Sequence, residues 1–284
     1  MNKEIATIAR TSAILESFQL YPNKGYGQNF IIEPRIVQKI AENSRLDKKT
    51  AVIEIGPGIG ALTEQLAKQA GYVLAFEIDG KLISVLQETL KTYDNIRIEH
   101  QDFLICDIER YYQELNQKYN KVVVSANLPY YITTPILFKL IESHIRLEAI
   151  TIMVQKEIAE RFTAQPSTKD YNALSVILQY LYEIKIVMRV AATVFIPKPA
   201  VDSIVVQLLP RQGLTVRDQP AFFQFIKACF SQRRKTIYNN LKTYWCDPMI
   251  TEKNLALALI EPSRRAESLN LADFIRLFEV SYEA

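Results

Sequence analysis

Residues Val52–Thr63 read VIEIGPGIGALT. A short run of strand formers enters a turn carrying Gly56, Gly58 and Gly60, and the apolar residues of Ala61–Ala70 then recur at helical spacing. Three of the chain's eight glycines fall within these five positions. A glycine turn between a strand and a helix opens a βαβ unit, and it lets backbone N–H groups approach a ligand closely.

Working outward, further apolar or β-branched runs occur at Ala51–Ile55, Tyr72–Ile78, Ile96–His100, Lys121–Ala126, Ala149–Val154, Glu183–Val190 and Ser203–Leu209. Helix-length segments such as Lys81–Leu90 separate most of them, which predicts a parallel sheet with helices on both faces. Only about a dozen residues, including Pro197 and Pro199, divide the last two runs, and that suits an extended connection. After Pro210 the pattern becomes helical, with Ala221–Phe230, Lys235–Tyr244, Glu252–Leu259 and Leu271–Val280. The expectation is an α/β fold with a seven-stranded, mostly parallel sheet in residues 1–210, and a small all-helical domain in residues 211–284. Residues before Pro22 read as an N-terminal helix, followed by KGYGQNF at Lys24–Phe30.

At 284 residues, with 49% apolar and 23% charged residues, the composition is that of a soluble globular protein. Glu183, Lys185, Arg189 and Lys198 interrupt the most apolar segment, so no membrane span is expected. The three cysteines have no metal-ligand spacing, and no metal is expected. Their number and spacing suit a reducing, cytoplasmic compartment. Residues 1–210 are charge-balanced, whereas residues 211–284 hold 11 basic against 8 acidic residues. Arg233, Arg234 and Lys235 are consecutive there; such a run is either a solvated helix face or a footprint for nucleic-acid phosphate.

A nicotinamide-binding turn is disfavoured, because its G-x-G-x-x-G pattern needs a third glycine where this chain has Ala61. Twenty-one residues after Gly56 stands Glu77, at the end of the second strand, where a carboxylate can accept from ribose hydroxyls. Asp102 follows the third strand and can accept from an adenine amine. Each acid alone could merely cap a helix. The ordered set resembles the S-adenosylmethionine site of the class I methyltransferases.

The fourth strand ends in Asn127-Leu128-Pro129-Tyr130. The exocyclic amine of adenine is a weak nucleophile, because its lone pair is delocalised into the ring. The Asn127 side-chain oxygen and the Leu128 carbonyl can hold its two N–H bonds out of plane, Pro129 fixes the chain, and Tyr130 offers a stacking face.

With GQNF (27–30), EIGPGIGALT, FEID, NLPYYITTPI, MVQKEIAERF, VFIPKPAVDSIV, SQRRKTIYNNL and RRAESL, nearly the whole chain resembles the ribosomal RNA adenine N6,N6-dimethyltransferases, in particular their small-subunit branch. The resemblance implies dimethylation of two adjacent adenines near the 3′ end of 16S rRNA in the 30S subunit or its precursor. It assigns Asn29, the main chain of Ile31, Gly56 and Gly58, Glu77, Asp102 and Asn127 to S-adenosylmethionine. It assigns Asn127, Leu128, Pro129 and Tyr130 to the catalytic clamp, and Tyr130, Phe195, Arg233, Arg234 and Lys235 to the RNA. A cytoplasmic monomer is expected. The rival readings are a large-subunit (23S) adenine dimethyltransferase conferring antibiotic resistance and a non-catalytic RNA-binding assembly factor. Ser167 and Asn172 stand where the family often has glycine.

Overall fold

The computed structural model describes residues 4–282. Its strands are β1 (Phe30–Ile31), β2 (Thr50–Ile55), β3 (Tyr72–Glu77), β4 (Ile96–His100), β5 (Lys121–Asn127), β6 (Ala149–Gln155), β7 (Tyr182–Val190), β8 (Phe195–Ile196) and β9 (Ser203–Pro210). Seven of them form one sheet in the order β4-β3-β2-β5-β6-β9-β7. The pairs β2–β3, β3–β4, β2–β5 and β5–β6 are parallel, and β9 runs antiparallel to β6. All seven runs read from the sequence form the strands of this sheet.

Strand β2 is buried at every position, and β5 and β6 nearly so. Helices cover both faces of a parallel sheet, so its strands are continuously apolar rather than alternating. On one face, Val37, Ile40, Leu66 and Val85 belong to the same core as Val52, Val73 and Val123. On the other, the Phe76 ring meets the edge of Tyr111 at 5.0 Å and that of Phe103 at 5.5 Å.

The order reverses between β2 and β5, because β2 is followed by β3 on one side while β5 lies on the other. Such a switch point opens a crevice at the carboxyl ends of the strands. The glycine turn after β2 and Asn127–Tyr130 after β5 stand on its two sides. A separate two-stranded ribbon pairs Phe30 with Ile196 and Ile31 with Phe195.

The chain divides into two compact units. The first comprises residues 1–156 and 185–209, and the second residues 157–184 and 210–284. The segment 157–184 therefore groups with the helical C-terminal part, although it precedes residue 210. Within the second unit, helices Ala173–Leu181, Gln219–Cys229 and Leu271–Tyr282 share an aromatic core. Phe222 lies 5.2 Å from Phe278 and 5.1 Å from Tyr180, and Phe225 lies 5.6 Å from Phe278. The side chains of Asp218, Thr236 and Asp247 cap successive helix N-termini of this unit. In the 163–172 loop Ser167 adopts φ +68°, the left-handed region in which glycine costs least. Asn172 accepts from the amides of Leu174 and Ser175 and starts the next helix with a capping box. Ser167 and Asn172 thus keep a local turn and a helix start.

Among the described residues, no helix is long and apolar enough to cross a membrane.

Candidate active site

The glycine turn takes its shape from three positive φ angles, +70° at Gly56, +62° at Gly58 and +91° at Gly60. The Gly56 amide donates to the Phe76 carbonyl at 2.9 Å, which ties the turn to β3. A Cβ on Gly58 would stand 3.4 Å from the Phe30 ring, so the turn passes close beneath the GQNF segment.

Glu77 closes β3 and is 4% exposed. Its carboxylate accepts from the amide of Gly58 at 3.2 Å and from that of Asp79 at 2.9 Å. Burial raises its pKa, and these backbone donors work against the rise. Asp102 follows β4, where its Oδ1 accepts the Leu104 amide at 2.8 Å in a local turn. Each acid is fixed by backbone and retains acceptor capacity for hydroxyl or amine donors.

Asn127 ends β5, and the Leu128 amide continues the pairing by donating to the Met153 carbonyl at 3.1 Å. Pro129 then turns the chain into a single 3₁₀ turn, Tyr130–Ile132. The Pro129 carbonyl accepts from the Ile132 amide at 3.2 Å and from the Thr133 hydroxyl at 3.2 Å. The Asn127 amide nitrogen donates to the Asn29 carbonyl at 3.5 Å, a long bond that directs the carboxamide oxygen elsewhere. The Tyr130 phenol shares a 2.7 Å hydrogen bond with the Ser203 hydroxyl, and burial raises its pKa, keeping it neutral.

The GQNF segment is held from both ends. Gln28 donates to Asp79 Oδ2 at 2.8 Å and accepts from the Asn23 amide at 2.8 Å, while Asn29 donates to the Gly27 carbonyl at 2.9 Å.

One cavity gathers Asn29, Ile31, Gly56, Gly58, Glu77 and Asp102 together with Asn127–Tyr130. Phe195, expected to stack on the target base, is 3% exposed within the apolar core, pairs with Ile31 in the β1–β8 ribbon and is not among the residues that line this cavity. Arg233, Arg234 and Lys235 are exposed and lie in the second unit. Arg233 pairs with Glu267 at 2.9 Å.

Among the cavity residues that the sequence reading did not assign, Gln28, Tyr131 and Glu54 stand out. Gln28 latches the GQNF segment to the N-cap of the helix after β3. Tyr131 borders the cavity with 54% of its surface exposed. Glu54 lies within β2, 1% exposed, and its Oε2 has no hydrogen-bond partner. Burial pushes the Glu54 pKa up to about 8, the Thr63 hydroxyl pulls it back, and the Glu77 charge adds to the rise. An acid inside an otherwise apolar strand is the one signal that singles out Glu54 in the sequence.

An adenosyl ligand needs acceptors for ribose hydroxyls and an adenine amine, and close backbone approach. The fixed carboxylates of Glu77 and Asp102 and the positive-φ glycine turn fit that requirement. Among the described residues, no cluster of three His, Cys, Asp or Glu side chains could hold a metal ion.

Known proteins resemble this chain in sequence and overall fold. The sequence profile described as ribosomal RNA adenine dimethylase matches residues 20–282. The chain is 47% identical to ribosomal RNA small subunit methyltransferase A of Bacillus pumilus, covering all of this chain and 99% of that protein. It is 47% identical to the protein of that name from Staphylococcus epidermidis, over 98% and 96% of the two chains. Among solved structures, a dimethyladenosine transferase from Plasmodium falciparum aligns with TM-score 0.75 and 26% identity, over 89% of this chain and 97% of that one. The 23S rRNA methyltransferase ErmE aligns with TM-score 0.66 and 26% identity, over 88% and 98%. A profile spanning both units, whole-length relatives and a glycine turn facing an Asn-Leu-Pro-Tyr strand end agree: the chain belongs to the ribosomal RNA adenine dimethylase family.

Proposed function

We propose that this protein methylates N6 of two adjacent adenines near the 3′ end of 16S rRNA, within the 30S subunit or its precursor, giving N6,N6-dimethyladenosines. The observation that carries the reading is the placement of Asn127–Tyr130 across the crevice from the glycine turn, in the cavity that also holds Glu77 and Asp102. The names of the whole-length relatives at 44–47% identity support the small subunit over the 23S alternative.

Glu77 would accept from the ribose hydroxyls and Asp102 from the adenine amine of the cofactor, Gly56 and Gly58 would let the backbone approach it closely, and Asn29 and the Ile31 main chain would complete its site. Bound there, S-adenosylmethionine supplies an electrophilic methyl on a sulfonium centre. The Asn127 side-chain oxygen and the Leu128 carbonyl accept from the two N–H bonds of the target amine and draw its lone pair out of the ring. These contacts strengthen as the nitrogen becomes tetrahedral, so they lower the barrier more than they favour substrate binding. Pro129 has no N–H to compete for that position, and the Tyr130 ring stacks on the extruded base. Arg233, Arg234 and Lys235 of the helical unit contact RNA phosphate. The protein acts as a cytoplasmic monomer.

The test is methyl transfer from labelled S-adenosylmethionine to methyl-deficient 30S particles, with primer extension to locate the product. Two adjacent modified adenines near the 16S 3′ end are expected. Modification of 23S RNA alone would select the rival enzyme, and cofactor binding without transfer would select the non-catalytic assembly factor.

A further inference from the structure

Tyr130 stands one short turn beyond β5, yet its hydroxyl meets Ser203 on β9, 2.7 Å away. Strand β6 lies between β5 and β9 in the sheet, so the Tyr130 side chain bridges from one strand to the next but one. Ser203 is fully buried and held from three directions. It pairs with Gln155 across the β6–β9 ladder, the preceding Asp202 carbonyl accepts the Lys156 amide at 3.0 Å, and the Asp202 carboxylate accepts the Ala192 amide at 2.9 Å. The far end of the Tyr130 ring is therefore anchored to rigid sheet, while its near end follows from the turn after Pro129.

We infer that Ser203 is a positioning residue for methyl transfer, fixing the plane of the Tyr130 ring on which the target adenine rests. A phenylalanine at position 130 would offer the same face for stacking but could pivot about its χ angles. A buried hydroxyl that serves only to complete the fold has no need of a partner on the cavity wall, yet the atom Ser203 meets is the tip of the residue that lines it. The anchor acts on the target base and not on the cofactor, whose acceptors are Glu77 at the end of β3 and Asp102 after β4. This inference rests on the proposed role of Tyr130 as the stacking plate.

The experiment is a double-mutant cycle on full-length protein with methyl-deficient 30S particles. Ser203→Ala, Tyr130→Phe and the double variant are compared by single-turnover transfer rate, by calorimetric affinity for S-adenosylmethionine and by melting temperature. Tyr130→Ala serves as the separate check on stacking. Losing one neutral hydrogen bond predicts a rate loss of about three- to tenfold in each single variant. The double variant should be no slower than either single one, because both remove the same bond. Cofactor affinity should be unchanged throughout. The inference is overturned if the two losses multiply, if Ser203→Ala transfers at the wild-type rate, or if Ser203→Ala weakens the cofactor as much as it slows transfer. A Tyr130→Ala variant with full activity would instead overturn the stacking role itself.

Discussion

The Gly58 amide donates to Glu77 Oε2 at 3.2 Å, linking the glycine turn after β2 to the acid that ends β3. One bond thus joins the two features that the sequence separates by nineteen positions, and it fixes the carboxylate where ribose hydroxyls would arrive. Hydrogen bonds to a charged acceptor are worth about 1.5–3 kcal/mol. Glu77→Gln is expected to weaken S-adenosylmethionine binding by roughly ten- to a hundredfold, read by calorimetry at neutral pH. Unchanged affinity would remove Glu77 from the cofactor site.

Glu54 predicts a pH dependence of stability. In the folded chain it holds its proton up to about pH 8, while an unfolded glutamate loses it near 4.5. Between those values the native state binds more protons than the unfolded one, so this residue lowers stability as pH rises and has its full effect above pH 8. In cofactor-free protein, Glu54→Gln should melt higher than wild type at pH 8, and the difference should shrink towards pH 5. A difference independent of pH would mean that Glu54 is ionised when folded.

Ser167, at φ +68°, tests the strained loop. Ser167→Gly should leave stability unchanged or raise it slightly, whereas Ser167→Val should cost about 1–2 kcal/mol, because a β-branched residue fits the left-handed region worst. Denaturant melts of the three proteins check this, and equal midpoints for valine and glycine would contradict it.

The centre of the sheet was legible because burial on both faces makes β2, β5 and β6 continuous apolar runs, its edge strands β4 and β7 show instead as β-branched residues mixed with charged ones, and Ala61–Gln69 was legible from its spacing. The two-residue strands Phe30–Ile31 and Phe195–Ile196 carry no periodicity, so their pairing, and with it the burial of Phe195, emerges only from the tertiary fold. Glu77 and Asp102 could be found because one ends a strand and the other closely follows one, whereas the only mark of Glu54 is that it is an acid inside an apolar strand. The grouping of residues 157–184 with the C-terminal helices depends on aromatic contacts such as Tyr180–Phe222, far apart in sequence.

The basic run makes a salt-dependent prediction. Arg233 is already engaged by Glu267, leaving Arg234 and Lys235 as the stronger candidates for phosphate contact. Neutralising all three should weaken RNA binding and reduce the slope of log affinity against log salt by about two, rather than the three expected if each contributed fully. A slope equal to that of wild type would make them an ordinary solvated surface.

Asn127 carries the central claim, that an acceptor at the end of β5 draws the adenine lone pair out of conjugation. Its amide already leans on the Asn29 carbonyl, so Asn127→Ala also loosens one wall of the cofactor cavity, and a modest loss of cofactor affinity is expected. The decisive measurement is the single-turnover methyl-transfer rate of Asn127→Ala on methyl-deficient 30S particles at saturating S-adenosylmethionine. A fall of about a hundredfold or more, with cofactor affinity reduced only a few-fold, is the predicted result for an interaction made chiefly in the transition state. Transfer at the wild-type rate under those conditions would contradict the clamp.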